Sequence, residues 1–367
     1  MVKIQARIAP FLNYLDTVLD RLKPRHAGRT RLHIHPYRGF GTDKKIFIIG
    51  RVLEGPLIRL SKKDNGLWNR LMNNMMYFES DEIPYALLKI RYAGVEATIQ
   101  ADEEGYYQSW LDIPSGYQEE QPVMSVALEL LQPLRPDKQP VRVEQQVSIV
   151  KPGVSFAIFS DIDDTVVQTD VTRPLWNIWN LLFKSARTRG SFPGTAAFFQ
   201  GLWDNARNPV FYVSSGPWNL YDLIIEFLKY QQFPPDPIVY LRDWGITDTE
   251  FLPTDHYQHK MKVFTTILDL YPELKFILIG DSGQQDPEIY IKTAESYPGR
   301  IMAIYLREVT GDLERIDTIH RLRARLGRAG IPVVLTESVL PMAEHAAAHG
   351  WISSESLKSV RASFHAS

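Results

Sequence analysis

The pattern of hydrophobic and polar positions changes near residue 153 and divides the chain into two parts. Before that point, short runs rich in Val, Ile, Leu and Tyr are bounded by Gly, Pro and Asp. Such runs are typical of antiparallel strands joined by turns, and a series of them favours a sandwich. The predicted strands are Arg31 to His35, Ile46 to Leu53, Tyr85 to Ile90, Val95 to Gln100, Tyr106 to Leu111, Val123 to Leu131 and Val141 to Val150.

After residue 153, short apolar runs alternate with longer segments of helical periodicity. This alternation is typical of βα units, which build a parallel sheet. The predicted strands are Val154 to Phe159, Val210 to Val213, Ile238 to Leu241, Phe276 to Ile279, Ile301 to Leu306 and Val333 to Leu335. The second part is therefore predicted to be an α/β domain.

These patterns set the expected domain boundaries. Apolar residues recur at helical spacing between Ile8 and Leu22, which predicts an amphipathic N-terminal helix rather than a secretory signal. The expected division is 1–30 for this helix and a basic linker, 31–152 for a β-sandwich-like domain, 153–345 for the α/β domain and 346–367 for a polar, loosely packed C-terminal tail.

Composition and charge exclude several kinds of function. The 367 residues contain no cysteine, which excludes disulfides, thiolate catalysis and cysteine-ligated zinc. A formal net charge of −2 gives no overall attraction to nucleic acid, and no apolar run is long enough to span a bilayer. We therefore expect a cytoplasmic protein without a nucleic-acid partner, which contacts membranes only peripherally.

Two aspartates follow a nearly continuous apolar strand. The run Val154 to Phe159 has the composition of a strand buried on both faces, and Asp161-x-Asp163-x-Thr165 comes directly after it. Strands of a parallel sheet deliver such residues to the carboxyl edge, where ligands bind. A hard divalent cation such as Mg²⁺ relieves the repulsion between neighbouring carboxylates. The ordinary alternative is a turn or a helix N-cap, since aspartate favours both.

Three further groups lie just after predicted strands or at a helix start. Ser214-Ser215-Gly216 ends one strand and offers a hydroxyl and backbone N–H groups that can hold a phosphate. Lys260 opens a predicted helix, where its charge can balance a phosphoryl group and an aspartate. Asp281 and Asp286 follow another strand and can complete a Mg²⁺ site. Each group alone has a structural explanation as a turn or a solvated side chain, but their order favours phosphoryl transfer.

These motifs resemble those of a known group of enzymes. In order, they are similar to the signature of the haloacid dehalogenase superfamily, whose members share a Rossmann-like parallel sheet with helices on both faces. More narrowly, Phe-Ser-Asp-Ile-Asp-Asp-Thr-Val, Tyr-Val-Ser-Ser-Gly-Pro-Trp-Asn-Leu and Ile-Gly-Asp-Ser-Gly-Gln-Gln-Asp-Pro-Glu-Ile-Tyr resemble the actin-patch-associated phosphatidate phosphatase family. The resemblance covers about Val154 to Leu340, and the β-rich half resembles the region that precedes the catalytic domain in bacterial-type members.

The resemblance implies a mechanism and a metal site. Asp161 would be the nucleophile that forms an aspartyl-phosphate. Asp163 would protonate the leaving alkoxide and then activate water for the second half-reaction. Mg²⁺ would be held by the Asp161 carboxylate, the Asp163 backbone carbonyl and Asp281, with Asp286 close by.

The resemblance also implies which residues hold the phosphate. Thr165 would steady the nucleophile loop, while Ser214 and Lys260 would bind the phosphate. Ser215 competes with Ser214, which is favoured because it ends the strand. Lys262 competes with Lys260, which is favoured because it lies nearer to the helix start and follows a histidine, as in the family pattern.

The substrate follows from the resemblance rather than from any single residue. The expected reaction is hydrolysis of a phosphate monoester, with conversion of phosphatidate to diacylglycerol as the favoured case. One alternative is a phosphatase for a soluble small molecule or a phosphoprotein. Another is a binding protein that uses the β-rich half for a protein or a lipid.

An apolar helical segment follows the nucleophile loop. It runs from Pro174 to Phe183, carries Trp176 and Trp179, and is followed by basic residues. One interpretation is a flap that receives acyl chains or touches a membrane surface. The alternative is a helix that packs on the sheet or on the N-terminal domain.

Overall fold

The computed structural model describes residues 31–55, 81–117, 119, 121–135, 139–162, 165–166, 192–242 and 256–365. The predicted amphipathic helix in residues 1–30 lies outside the described residues. So do Asp163 and the segment that carries Trp176 and Trp179.

The β-rich part contains all seven predicted strands. The described strands are β1 Arg31–Pro36, β2 Gly39–Gly41, β3 Lys45–Gly55, β4 Asp81–Glu82, β5 Leu87–Tyr92, β6 Val95–Gln100, β7 Tyr106–Asp112, β8 Val123–Gln132 and β9 Val141–Ile149. The short strands β2 and β4 were not predicted, because two or three residues are too few to show a period of two.

These strands form one hydrogen-bonded sheet. Its order is β1-β3-β2-β9-β8-β5-β6, and β4 and β7 pair with β3. The pairing is antiparallel except between β2 and β9, which run parallel. Buried side chains from distant strands of this order, such as Ile34, Ile48, Leu88 and Val126, share one hydrophobic cluster. The sheet is therefore mixed and continuous, and the sandwich-like arrangement stays a prediction.

The α/β part contains all six predicted strands. They are β10 Phe156–Ser160, β11 Val210–Pro217, β12 Ile238–Arg242, β13 Lys275–Asp281, β14 Ile301–Arg307 and β15 Val333–Thr336. Every residue of β10 is buried, as its apolar sequence requires.

Helices separate these strands along the chain. The described α-helices are α1 Thr195–Trp203, α2 Tyr221–Tyr230, α3 His256–Leu270, α4 Asp286–Ser296, α5 Leu313–Gly327, α6 Val339–Ala348 and α7 Ser354–His365. Within the described ranges, none of them combines the length and the apolar character needed to cross a bilayer.

The order of the parallel sheet reverses between β10 and β13. The strands lie in the order β12-β11-β10-β13-β14-β15, and all their pairings are parallel. The chain thus runs outward from β10 to β12 and then starts again at β13. Open parallel sheets bind ligands at the carboxyl edge where such a reversal lies. Since Ser160 pairs with Ile279, Asp161 and Asp281 emerge at this edge from neighbouring strands.

Aromatic side chains join the two parts into one hydrophobic core. Tyr37 stacks on Trp218, with ring centroids 4.9 Å apart and planes inclined by 9°. Phe40 meets Phe211 edge to face at 5.9 Å. At another point of the interface, the Tyr271 hydroxyl donates to the carbonyl of Gly41 at 3.1 Å. The mixed sheet is therefore packed directly against the α/β part.

The C-terminal segment ends in a packed helix. α7 contacts α1 and α6, and its Val360 side chain is fully buried. A Cβ added to Gly201 of α1 would lie 3.0 Å from Ser356 of α7, so the two helices approach closely. The expectation of a loosely packed tail is wrong for residues 354–365, because a few apolar side chains suffice to dock a short helix that is polar elsewhere.

Candidate active site

Asp161 occupies the end of the central strand β10. Its backbone N–H donates to the carbonyl of Ile279 on β13 at 2.9 Å, and the residue is only 2% exposed. The Ser160 hydroxyl donates to the carbonyl of Asp161 at 2.7 Å. The apolar strand thus fixes a carboxylate inside the protein at the point where the strand order reverses.

Lys260 lies between two carboxylates. Its Nζ donates to Oδ1 of Asp161 at 2.7 Å and to Oδ1 of Asp286 at 2.5 Å, and its side chain is 4% exposed. Burial alone would lower the pKa of Lys260, but the two carboxylates outweigh burial and raise this pKa above its usual range. Lys260 is therefore a fixed cation in this cluster. The competing Lys262 is exposed to solvent on the same helix.

The last residue of β13, Asp281, and the first residue of α4, Asp286, supply two more carboxylates. Oδ1 of Asp281 accepts hydrogen bonds from the backbone N–H groups of Gly283 at 2.6 Å and Gln284 at 2.9 Å. Oδ2 of Asp286 accepts from the backbone N–H of Asp281 and from the Tyr290 hydroxyl, both at 3.4 Å. Backbone donors thus hold Asp281 from one side and leave its other oxygen for a ligand.

The three carboxylates converge. Asp161, Asp281 and Asp286 each offer an oxygen, and these atoms lie within 4.8 Å of one another. Within the described part of the chain, Oδ2 of Asp281 is buried without a hydrogen-bond partner. Burial and the charge of Asp286 raise the pKa of Asp281 to about 7, against the opposing effect of Lys260. An all-oxygen, negatively charged cluster with an open acceptor fits a hard divalent cation such as Mg²⁺.

Gly280 allows Asp286 to approach the sheet. A Cβ at this position would lie 2.3 Å from Oδ2 of Asp286 and 2.6 Å from the Tyr290 hydroxyl. Tyr290 is itself held by a hydrogen bond to the carbonyl of Ile279 at 2.8 Å. The close contact of backbone and carboxylate therefore requires glycine before Asp281.

The serine pair lies at the end of β11, the strand next to β10. Ser214 is fully buried, and its Oγ accepts a hydrogen bond from the backbone N–H of Gly216 at 3.0 Å. Oγ of Ser215 is also buried and has no hydrogen-bond partner among the residues that the structure describes. The Ser214 hydroxyl thus shapes the turn, while the Ser215 hydroxyl is open to a ligand. Which serine binds phosphate stays a prediction, with both hydroxyls at the expected edge.

Thr165 is buried in the turn that follows β10. It is 2% exposed, and no described residue forms a hydrogen bond with its Oγ1. The backbone N–H of Val166 donates to the carbonyl of Ile162 at 3.0 Å and closes the turn. Asp163, the predicted acid and base, belongs to this stretch but lies outside the described residues.

Arg315 is a supporting residue that the sequence did not reveal. Its Nε donates to the carbonyl of Ser282 at 2.8 Å, and its guanidinium also binds the carbonyl of Gln284 and the carboxylate of Glu288. It therefore fastens both sides of the loop that carries Asp281. No local pattern in the sequence distinguishes Arg315 from the other arginines of α5.

Part of the chain is similar in sequence to known proteins. Residues 156–308 match the family model described as the catalytic domain of phosphatidate phosphatase APP1. Phosphatidate phosphatase APP1 of Saccharomyces cerevisiae is 31% identical over 175 residues, which are 48% of this chain and 29% of that protein. An uncharacterised protein of Schizosaccharomyces pombe is 28% identical over 218 residues, which are 59% of this chain and 35% of that protein. The predicted resemblance to this phosphatase family is confirmed.

The extent of these matches is partial. The chain spans about a third of the length of the curated relatives it matches. Among solved structures, a carbohydrate acetylesterase from Xanthomonas citri is 12% identical, with 77% of this chain and 70% of that chain covered and a TM-score of 0.24. The PilB minor pilin from Streptococcus sanguinis is 10% identical, with 72% and 87% covered and a TM-score of 0.28. Scores this low carry no argument about fold or function.

Proposed function

Since residues 156–308 match a phosphatidate phosphatase catalytic domain, we propose that this chain is a Mg²⁺-dependent phosphatase. It hydrolyses phosphate monoesters through an aspartyl-phosphate on Asp161. The observation that carries the proposal is the buried cluster in which Lys260 joins Asp161 to Asp286. A structural role alone does not explain why three carboxylates are buried together around a single lysine at this edge.

The metal would be held by Asp161 and Asp281, with Asp286 close by and the backbone carbonyl of Asp163 as a further ligand. The open oxygen of Asp281 and its raised pKa support this assignment. When bound, Mg²⁺ supplies positive charge that offsets the charge of the phosphoryl group.

The first half-reaction transfers the phosphoryl group to the protein. A carboxylate oxygen of Asp161 attacks phosphorus, and the bond from phosphorus to the ester oxygen breaks. Asp163, in its protonated form, gives its proton to the leaving alkoxide. The Lys260 ammonium lies 2.7 Å from the Asp161 carboxylate, where it orients the nucleophile and offsets its charge.

The second half-reaction returns the enzyme to its starting state. Asp163, now a carboxylate, takes a proton from water, and the water oxygen attacks phosphorus. The bond between Asp161 and phosphorus breaks, which releases inorganic phosphate and restores both aspartates. Ser214 or Ser215 and the turn at Gly216 hold the phosphate oxygens through both steps, and Thr165 supports the nucleophile loop.

The favoured substrate is phosphatidate, which would be converted to diacylglycerol. Support comes from the name of the family and of the yeast relative, since no described residue specifies the leaving group. A soluble or protein phosphomonoester is the alternative. A lipid substrate would be hydrolysed at the cytoplasmic surface of a membrane. The segment around Trp176 and Trp179 is the proposed membrane contact.

We also propose that the α/β part has the Rossmann-like fold of the haloacid dehalogenase superfamily. The strand order, which reverses beside Asp161, supports this assignment. The β-rich part would then be an accessory domain that precedes a phosphatase domain.

The test is Mg²⁺-dependent phosphate release by the purified chain and its Asp161→Asn variant. The panel contains micellar phosphatidate, a lysophospholipid, sugar phosphates, a phosphopeptide and an aryl phosphate. Release from phosphatidate that vanishes in the variant supports both the nucleophile and the lipid substrate. Release only from soluble esters rejects the lipid substrate, and a folded, Mg²⁺-binding protein that hydrolyses none of them contradicts the proposal.

A further inference from the structure

The β-rich part buries one arginine. Among the described residues between 31 and 149, Arg51 is the only charged residue that is buried, at 6% exposure. Removing a guanidinium from water is costly unless its N–H groups find partners. The position of Arg51 therefore requires partners for its N–H groups.

Arg51 is held on every side by polar groups. Its Nε donates to the carbonyl of Glu104 at 2.9 Å, and one terminal nitrogen donates to Glu82 at 2.9 Å. The guanidinium also lies over the ring of Tyr106, with 4.4 Å from its central carbon to the ring centroid. These three neighbours, Glu104, Glu82 and Tyr106, belong to the β-rich part. Together with a fourth neighbour, they would fix one orientation of the guanidinium.

The fourth neighbour is Asn219, which belongs to the α/β part. The remaining nitrogen of Arg51 donates to Oδ1 of Asn219 at 2.9 Å, and the Tyr106 hydroxyl donates to the same oxygen at 3.0 Å. Because an arginine can only donate, the atom that faces it must be the amide oxygen. Two donors from the mixed sheet therefore hold a single side chain of the other part.

Asn219 lies three positions after Gly216, the last residue of the serine turn. Ser214, Ser215 and Gly216 precede Pro217, the last residue of β11, and the short 3₁₀ helix Trp218–Leu220 joins β11 to α2. Trp218 is stacked on Tyr37 of the mixed sheet. Two successive residues between the serines and α2, Trp218 and Asn219, therefore contact the β-rich part.

We propose that Arg51 and Tyr106 are positioning residues for the phosphate-binding turn. Acting through Asn219, they hold the turn that presents the hydroxyls of Ser214 and Ser215. A turn fixed before the ligand arrives loses less entropy on binding an anion and keeps its donors aimed at one place. The β-rich part is then a component of the catalytic machinery rather than a separately acting module. The inference rests on the proposed function, since it assumes that the turn binds phosphate.

The test compares two variants that each lose one hydroxyl at the interface between the two parts. Tyr106→Phe removes a donor to Asn219 and keeps the ring beneath Arg51. Tyr271→Phe removes the hydrogen bond to Gly41, far from the serine turn in the sequence, from a tyrosine that is equally buried at 5% against 6%. Asn219→Ala removes the shared acceptor. Each protein is titrated calorimetrically with tungstate, an analogue of phosphate, at saturating Mg²⁺.

We expect Tyr106→Phe and Asn219→Ala to raise the tungstate dissociation constant about 2- to 10-fold, the effect of one or two ordinary hydrogen bonds. In these two variants kcat/KM should fall by the same factor, while the Mg²⁺ dissociation constant stays as in the parent protein. Tyr271→Phe should match the parent protein in all three quantities. Equal tungstate binding in all variants, with only their melting temperatures lowered, would overturn the positioning role. A parent protein that neither binds tungstate nor releases phosphate would instead remove the proposed function on which the inference rests.

Discussion

Nζ of Lys260 lies 2.7 Å from Oδ1 of Asp161, although the two residues are 99 positions apart in the sequence. Both side chains are removed from solvent, at 4% and 2% exposure. The ammonium therefore offsets the charge of the carboxylate and holds it in one orientation, as a nucleophile requires.

Substitution of Lys260 should abolish activity and destabilise the protein. Lys260→Met leaves Asp161 and Asp286 buried without their cation, which costs on the order of 3–5 kcal/mol of unfolding free energy. The loss should be largest in EDTA, because bound Mg²⁺ would compensate part of the missing charge. Urea unfolding with and without Mg²⁺, together with phosphate release, measures both effects. Lys262→Met, an exposed change on the same helix, is the control, and equal losses in the two variants would contradict the assignment of Lys260.

Asp281→Asn should separate metal binding from folding. The amide oxygen can still accept from Gly283 and Gln284, but a donor replaces the open oxygen of the carboxylate. We expect Mg²⁺ affinity to fall at least about 10-fold, as for the loss of a charged ligand. The raised pKa of Asp281 means that its charge opposes folding above pH 7 when no metal is present. At pH 8 and without metal, Asp281→Asn should therefore unfold at a higher temperature than the parent protein. A lower unfolding temperature would contradict a destabilising charge on Asp281.

Gly280→Ala should disturb the metal site through crowding. The added methyl group would lie 2.3 Å from Oδ2 of Asp286, so the carboxylate or the strand must shift. Overpacking of this kind costs about 1–3 kcal/mol, and Mg²⁺ affinity should fall with it. Thermal unfolding and calorimetric titration with Mg²⁺ test both effects. Gly327→Ala is the control, since a Cβ there meets no atom within 4 Å. Unchanged Mg²⁺ affinity in Gly280→Ala would show that Asp286 is not needed at its present position.

Arg315→Lys should weaken metal binding from outside the metal site. Lysine keeps the charge but cannot reach the carbonyls of Ser282 and Gln284 and the carboxylate of Glu288 together. The loop that carries Asp281 then loses its support, and we expect Mg²⁺ affinity to fall about 10-fold, as for other supporting groups of metal ligands. Arg321→Lys, on the exposed face of the same helix, is the matched control. Equal Mg²⁺ affinity in the two variants would show that Arg315 forms only a surface ion pair and does not support the metal site.

The tryptophans after the nucleophile loop are predicted to contact lipid. Replacement of both Trp176 and Trp179 by Ala should weaken binding to vesicles of phosphatidate and phosphatidylcholine without lowering the melting temperature, because apolar side chains contribute much of the affinity of a peripheral contact. Vesicle sedimentation measures the binding. Trp351→Ala, a tryptophan that stacks on His349 in the described structure, is the control. Normal vesicle binding by the double variant would leave a helix packed on the protein as the explanation.

The sequence was most informative where burial is uniform. β10 and β13 were predicted because a strand covered on both faces must be apolar throughout, and the carboxylates that follow them must then lie at one edge. The order of the parallel sheet could not be derived, since hydrophobic runs do not state which strands are neighbours. The packed helix α7 was missed because a single buried side chain, Val360, gives no recognisable period.

Contacts between distant segments were out of reach of the sequence. Arg51 and Asn219 are 168 positions apart, and Arg315 is 33 positions from the carbonyl of Ser282. Nothing in the residues around them differs from an ordinary strand or a solvated helix. The sequence favoured Lys260 over Lys262 by its position along the helix. The physical difference between them is that Lys260 is buried and Lys262 is exposed.

The stack of Tyr37 on Trp218 has a consequence for how the chain folds. Trp218 is 2% exposed because the mixed sheet covers it, so the α/β part made alone would show this ring and its aromatic neighbours to water. A fragment that starts at the boundary near residue 153 would expose an apolar patch to solvent and would tend to aggregate. The two parts, which look separable in the sequence, should therefore unfold in a single cooperative transition, and a cut between them would yield two poorly soluble halves rather than two working domains.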